Sequence, residues 1–392
     1  MLTRRFGKTG LQTTVLTLGA MRIPPMPGES PEATQERTNA TLRHALDLGI
    51  NHIETARGYG PSEEQIGRAI ERGVIRRDEF ILTTKIGPTE TAAEFVALIR
   101  ESLTRLQVEF IDNLDLHGLN TDEIVAASLK PGGPMDGARE AVRLGLVGHV
   151  GFSTHGPLET ILGAVRSDAF ESVNLHYYYM NQYNRPAVME AAARDMGVFI
   201  ISPADKGGRL FDPPARLAEL CSPLTPLALN QRWLLSQPEV HTLSLGMASP
   251  AEFEPHLHGL SGEPLTDAEA AAVARLDAAA QDLAPNWCSF CHQCLPCPEG
   301  IHIPEVLRLR NMAAAYGMAD FGRYRYGMFE RRDPETGGRT GGAGHWFPGL
   351  QGDFCTDCGE CVPRCPLNLP VSELVKQTHS ALVGEAGRRL WG

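Results

Sequence analysis

The chain has no run of eighteen apolar residues, so no segment reads as a membrane span. It has no surplus of positive charge: 36 Lys and Arg stand against 47 Asp and Glu, a net charge of −11. With no strongly basic stripe either, nucleic acid is excluded as the main partner. The basic pair Arg4-Arg5 is followed by a short apolar stretch broken by threonines, without a small-residue cleavage site, so a cytoplasmic protein is expected. Cysteine is scarce outside two short stretches. Of the nine cysteines only Cys221 lies apart from CSFCHQCLPCP, which begins at Cys288, and CTDCGECVPRCP, which begins at Cys355. What remains is ordinary: 392 residues, 42% hydrophobic and 21% charged, enough for two domains or one large domain with an attachment.

Cys-x-x-Cys pairs in a chain read as cytoplasmic point to metal ligands or redox groups rather than to disulfides. Zinc uses such pairs too. The second stretch, however, spaces Cys355, Cys358, Cys361 and Cys365-Pro366 as in the bacterial [4Fe–4S] run, and three cysteines two apart wrap three corners of a cubane. The first stretch repeats this with Cys288, Cys291, Cys294 and Cys297-Pro298, one residue shorter in its last gap. PEGIHIPEVLRL and PLNLPVSELVKQ follow the two motifs, each with a proline placed to open a helix. Residues 285–392 thus resemble a two-cluster ferredoxin module in a mainly helical form. That resemblance implies exchange of the Cys-Pro ligands. Cys288, Cys291, Cys294 and Cys365 would hold one [4Fe–4S] cluster, and Cys355, Cys358, Cys361 and Cys297 the other. ETGGRTGGAGHWFPGLQG is expected to be a long loop, and Cys221 a partly buried thiol.

Ahead of this module, short apolar runs alternate with helical patterns. VLTLG, HIETA, FILTTKI, IDNLDLHGL, HVGFS, SVNLHYYY, VFIISP and HTLSLGM each precede a plausible helix. Gly49, Gly145 and Gly197 are expected to end helices, and Ser62 with Gln65 and Thr266 with Glu269 to form capping boxes. Eight strand–helix units in about 250 residues predict a (β/α)8 TIM barrel. A doubly wound sheet is disfavoured because no G-x-G-x-x-G turn follows the first strand. The division predicted is a barrel over 1–284 and a mainly helical ferredoxin-like domain over 285–392.

Barrels carry their chemistry at the C-terminal ends of strands. There the sequence offers Glu54, Tyr59, Lys85 and His117. With RRFGKTGLQTTVLTLGAMR, ETARGYGPSEEQIG and GFSTH, these residues resemble the aldo/keto reductase family over about 1–283. The resemblance implies that Tyr59 protonates a carbonyl oxygen, that Lys85 lowers the tyrosine pKa, and that His117 orients the carbonyl. Glu54 stands where the family usually has aspartate. Ser153, Thr154 and Asn174 would hold a nicotinamide amide, and Ser202, Lys206, Gly207 and Gly208 would lie on the phosphate-binding loop. GMASPAEFEPHLHGL, from Gly246, lacks the basic residues the family uses for a 2′-phosphate, and Glu252 and Glu254 would repel one. NAD(H), or no nicotinamide, is therefore favoured over NADPH.

Three readings of the whole follow. The clusters relay single electrons between a redox protein partner and a barrel that acts on a small carbonyl or alcohol. Alternatively, a nicotinamide-dependent reductase carries structural or sensing clusters. In the third, an electron-transfer module uses a retired barrel as a docking scaffold. Met21, Arg22, Arg57 and Tyr177 to Tyr179 are the local features of the substrate loops, the tyrosines reading equally as pocket lining or as packing.

Overall fold

A computed structural model describes residues 1–283, 286–344 and 347–384. The chain opens with a hairpin in which β1 (Thr3–Arg5) pairs antiparallel with β2 (Gln12–Thr14). Eight parallel strands then close into a barrel: β3 (Leu16–Gly19), β4 (His52–Glu54), β5 (Ile81–Ile86), β6 (Ile111–His117), β7 (Val147–Ser153), β8 (Ser172–Leu175), β9 (Gly197–Ile201) and β10 (Thr242–Leu245). Sequential strands neighbour each other, and β10 returns to pair with β3. Between β3 and β9 come α1 (Pro31–Asp47), α2 (Ser62–Glu71), α3 (Ala92–Leu106), the pair α4 (Asp122–Leu129) and α5 (Pro134–Arg143), α6 (Leu158–Arg166) and α7 (Arg185–Ala193). After β9 come α8 (Ala215–Cys221) and α9 (Pro226–Leu235), and after β10 the short α10 (Glu254–Leu257) and α11 (Asp267–Gln281). The expected (β/α)8 barrel is the observed architecture.

Local chemistry accounts for the element ends. Thr91 with Glu94 and Thr266 with Glu269 form complete capping boxes that satisfy two orphan amides each. Ser62 does not cap. Pro61 occupies the cap position of α2, and the Ser62 hydroxyl is spent inside the fold on Thr55 Oγ1 and the Ala20 carbonyl. Gly49 and Gly145 take left-handed φ after α1 and α5, as expected. Gly197 does not end a helix; Asp195 takes the positive φ after α7, and Gly197 opens β9. Its missing side chain has a different use, because a Cβ there would lie 2.7 Å from the Phe6 ring. Phe6 is buried, edge-on to Phe199 and His241 and close to His52, so the opening hairpin plugs the N-terminal end of the barrel. Burying a side chain of that size contributes about 1.5–3 kcal/mol. Strand residues such as Leu16, Leu18, Ile53, Leu82, Leu114 and Val173 are buried on the outer face of the barrel, in alternation with inward-facing polar residues such as Thr17, His52 and Asn113.

By contacts the chain divides into two units, Met1–Gly207 with Asn230–Pro264, and Gly208–Leu229 with Leu265–Gly392. The 284/285 boundary drawn from the sequence falls on residues outside those described. In the second unit α8, α11 and α12 (Ile303–Tyr316) pack together, and α12 also packs on α13 (Ala319–Tyr326) and α14 (Val371–Leu382). Pro304 sits in the first turn of α12, and Pro370 immediately precedes α14, the helix-opening positions expected of them. The stretch expected as one long loop is in part a strand: β12 (Arg339–Gly341) pairs with β11 (Glu330–Arg332) around a turn in which Asp333 accepts from the Glu335 and Thr336 amides. His345 and Trp346 of that stretch lie outside the described residues. No helix among those described is long and apolar enough to cross a membrane.

Candidate active site and cysteine cavities

Strand register brings the barrel residues together. Glu54 ends β4, Lys85 lies one residue before the end of β5, and His117 ends β6, so three neighbouring strands present polar groups at their C-terminal ends. Lys85 is 1% exposed and in direct ion pair with Glu54, itself 3% exposed. The Lys85 ammonium also donates to the Thr55 carbonyl at 3.0 Å and to the Tyr59 hydroxyl at 3.3 Å. Glu54 uses its other oxygen to accept from Ser244 Oγ at 2.8 Å. The longer glutamate side chain therefore still reaches the lysine. The rings of Tyr59 and His117 meet edge to face, with centroids 5.9 Å apart.

The electrostatics depart from the expectation for Tyr59. Its side chain is partly exposed as a whole, but burial of the hydroxyl end, followed by the charge of Asp115, pushes the phenol well above its usual value. Asp115 was not among the expected residues. It lies on β6, 1% exposed, directly in register with Lys85. Burial pushes its carboxyl up, against the opposing Lys85 charge and the Asn113 and Asn174 amides. The same burial pushes Lys85 down, with Asp115 working against it. The signal for Asp115 was in IDNLDLH, where alternation places Asn113, Asp115 and His117 on one strand face.

The residues expected at a nicotinamide are distributed as follows. Ser153 ends β7, and its Oγ accepts from the Gly118 amide at 3.3 Å. The Thr154 hydroxyl donates to the Leu119 carbonyl at 2.7 Å, so it retains only acceptor capacity toward a ligand. Asn174, on β8, is buried, and its side-chain amide favours the charged form of the Asp115 carboxyl. Ser202 takes φ 50°, and its carbonyl accepts from the Lys206 amide at 3.0 Å. A Cβ on Gly207 would lie 2.0 Å from the Pro203 carbonyl oxygen, so glycine is required there. Gly208 takes φ 135° and falls in the second unit. The Gly246 carbonyl accepts from Arg22 at 2.9 Å, and Arg22 pairs with Glu252 at 2.6 Å. A basic group thus does lie beside the loop after β10, supplied from near the N-terminus, with its charge matched by Glu252.

Tyr177 and Tyr178 are packing residues: both are buried, donating to Gln237 Oε1 and the Ile201 carbonyl. Tyr179 is partly exposed, edge-on to Trp233. Beside them runs a chain that the sequence reading missed. His155 Nδ1 is hydrogen-bonded to His176 Nε2 and His176 Nδ1 to the Tyr178 hydroxyl, each at 2.5 Å. Arg57, one of the expected substrate-loop features, pairs with Glu101.

In the second unit the cysteines gather in two sets of four. One cavity is lined by Cys288, Cys291, Cys294 and Cys365 together with Leu307, Leu369 and Val371. Another is lined by Cys297, Cys355, Cys358 and Cys361 with Ile301, Ile303 and Val375. Burial pushes Cys288 up to about 11 and Cys294 up to about 12, with neighbouring thiolates adding to the rise, and Cys361 is also raised. Apolar cavities of this kind penalise free thiolates and suit thiolates neutralised by iron. The donor set therefore fits a four-thiolate cluster in each. Cys221 is buried elsewhere, its thiol pushed up to about 12.

Fold and site define a barrel oxidoreductase that carries a cysteine-rich module. More narrowly, the chain belongs to the aldo/keto reductase family, whose sequence model matches residues 15–278, and a 4Fe-4S dicluster domain matches residues 287–369. Among relatives, L-galactose dehydrogenase of Arabidopsis thaliana is 31% identical over 136 residues, which cover 32% of this chain and 42% of that protein. L-glyceraldehyde 3-phosphate reductase of Escherichia coli is 30% identical over 40% of this chain and 46% of its own. The chain thus spans less than half the length of these two relatives. An uncharacterized oxidoreductase of Bacillus subtilis, YqkF, is 21% identical over 70% of this chain and 95% of its own. An aldo-keto reductase of Bacillus halodurans in its holo form superposes with a TM-score of 0.57 at 21% identity, covering 70% of this chain and 96% of that one. A thermostable aldo-keto reductase in complex with the inhibitor epalrestat gives 0.58 at 20% identity, over 70% and 100%. At these identities the structural likeness speaks to the fold.

Proposed function

We propose that the barrel interconverts a small carbonyl compound and its alcohol, with Tyr59 donating the proton to the carbonyl oxygen. The observation that carries this reading is the Lys85 ammonium, 3.3 Å from the Tyr59 hydroxyl and paired with Glu54 at the ends of adjacent strands. As the carbonyl oxygen gains electron density, the Tyr59 hydroxyl gives up its proton, and Lys85 stabilises the phenolate left behind. His117, edge-on to Tyr59, would orient the oxygen. Cys288, Cys291, Cys294 and Cys365 would hold one [4Fe–4S] cluster, and Cys297, Cys355, Cys358 and Cys361 the second. Each cluster would supply one electron at a time; reduction of a carbonyl to an alcohol consumes two electrons and two protons, one reaching oxygen from Tyr59 and the other reaching carbon from solvent, so a pair of clusters matches the stoichiometry. A redox protein would be the external partner, in a soluble compartment such as the cytoplasm, with the domain boundary near 284/285.

A second reading is favoured by Asn174. Its buried amide, beside Asp115, carries both a donor and an acceptor, as a nicotinamide carboxamide requires. Ser153, Thr154 acting as acceptor, Ser202, Lys206, Gly207, Gly208 and Gly246 would complete that cofactor site, and the clusters would then serve structure or sensing. With Arg22 already paired to Glu252, NAD(H) is favoured over NADPH. The test is anaerobic. Protein reduced by dithionite is mixed with a panel of aldehydes and ketones, and the cluster absorbance is followed; NADH and NADPH are then tried as alternative donors. Carbonyl-dependent reoxidation of the clusters supports the first reading, and turnover with NADH alone the second. Tyr59→Phe should lower reduction by two or more orders of magnitude while leaving substrate binding nearly unchanged. Full activity in that variant overturns the assignment of Tyr59.

A further inference from the structure

The family resemblance accounts for one carboxylate beside Lys85, and the barrel holds two. Asp115 is 1% exposed on β6 and paired in register with Lys85 across the β5–β6 ladder. Its Oδ1 accepts from Asn113 Nδ2 at 2.9 Å, and the Asn174 amide also favours its charged form. The neighbouring strand makes room for it. Gly151 is in register with Asp115 on the other side, and a Cβ at Gly151 would come within 2.4 Å of Asp115 Oδ1 and 2.1 Å of Ser172 Oγ. A carboxylate that requires a glycine on the next strand is built into the barrel interior, not tolerated at its edge.

We propose that Asp115 is a positioning residue of the barrel site: its carboxylate competes with the Tyr59 oxygen for the Lys85 ammonium, and so sets how readily Tyr59 gives up its proton. This rests on the reading of Tyr59 as the proton donor. The groups facing Asp115 define the balance. β5 supplies Lys85, and β4 supplies Glu54 and the buried His52, which is hydrogen-bonded to Thr17 and Thr83. β6 itself supplies Asn113 and His117. β7 supplies Gly151 and, two residues earlier, His149 paired with Glu171; β8 supplies Ser172 and Asn174. Among these, Lys85 is the one cation adjacent to two carboxylates, Glu54 and Asp115. With both ionised, the cluster around the Tyr59 hydroxyl carries one negative charge, which opposes formation of a phenolate. When Asp115 takes a proton, that opposition disappears. Tyr59 then becomes the stronger acid and reduction speeds up. The buried position moves the Asp115 titration from the acid range toward neutrality, where such a change would be felt.

The experiment reads Tyr59 directly. Full-length protein is prepared anaerobically with tyrosine labelled with carbon-13 at Cζ, and Tyr59→Phe assigns the signal among the eight tyrosines. In Asp115→Asn the Tyr59 signal should move to its phenolate position at a pH lower than in the native protein, by about one unit or more. The alkaline limb of kcat/KM for carbonyl reduction should shift down by a similar amount. A Tyr59 titration, or an alkaline limb of kcat/KM, that coincides in the two proteins overturns the proposal. So does a shift toward higher pH in the variant. Should the asparagine variant misfold, Asp115→Ser removes the same charge with a smaller side chain and is read in the same way. Because the signal needs no substrate, an unmoved titration refutes Asp115 alone, whereas inactivity with every carbonyl refutes the reductase reading and leaves the titration to stand.

Discussion

Replacing Lys85 with methionine tests the energetics of the buried cluster most directly. The ammonium and the Glu54 carboxylate are 1% and 3% exposed, so solvent screens them little. Two unit charges about 4 Å apart at an effective dielectric near 20 interact by about 4 kcal/mol. Removing one partner of such a pair costs about 3–5 kcal/mol, because the other is left buried and uncompensated. In Lys85→Met the Glu54 carboxylate would keep only the Ser244 hydroxyl, and the Thr55 carbonyl would lose its donor. Lys85→Met combined with Glu54→Gln removes both charges and retains the Ser244 contact. That double variant should therefore recover the part of the loss that comes from Glu54, since neutral replacement of a buried pair is often near neutral in stability, while Asp115 stays without its cation and activity stays lost. With two units in one chain, a single unfolding free energy is poorly defined. The assay is therefore native-state hydrogen exchange at the amides of β5 and β6, which reads opening of the barrel itself. A single variant whose strands are protected as well as in the native protein would refute the argument. So would a double variant no better protected than the single.

Further expectations concern the metal module and acid. Anaerobically purified protein should be brown, with iron and acid-labile sulfide in equal amounts and close to two cubane clusters per chain; stoichiometric zinc without sulfide refutes this. Cys358→Ala should cost one cluster, halving both iron and sulfide and destabilising the second unit. Cys221→Ala, outside both cavities, should leave the content unchanged in the same analysis. His52 is buried between Thr17 and Thr83, and burial, with the nearby Lys85 charge, holds it down at about 3. Its folded value lies below the unfolded value of 6.5, so the unfolded chain takes up the proton first. Its contribution is therefore intact above pH 6.5 and lost as pH falls toward 3, approaching about 5 kcal/mol. Exchange protection in β4 that stays flat from pH 7 to pH 4, after correction for intrinsic exchange, would contradict this.

The barrel was legible because its signals are local. Strand runs, helix periodicity and the capping box at Thr266 each act within a few residues, and eight strand–helix units in series leave few architectures. The cysteine motifs were legible for a similar reason: a spacing of two already states how ligands wrap a cluster. Misreadings arose where one residue type serves several purposes. Gly197 has the look of a helix terminator, yet it is a glycine because Phe6 packs against it. Ser62 has the look of a cap, yet its hydroxyl is needed by Thr55 and Ala20. In both cases a partner distant in sequence outweighed the local pattern. Arg22 is a further instance, reaching Gly246 and Glu252 across more than two hundred residues to alter the charge of a loop that contains no lysine or arginine of its own.

Asp115 carries the same lesson into the chemistry. The four expected residues pair off on paper, with Lys85 free to favour the Tyr59 phenolate. In three dimensions a fifth residue shares that lysine, and the tyrosine is held more tightly protonated than the four alone would make it. A motif states which groups meet, but a proton's affinity depends on every charge within a few ångströms of it. The residue that shifts the balance was visible as an acidic side chain on the inward face of a barrel strand, two positions before His117. A buried carboxylate there needs a cation, and Lys85 is the one the register supplies.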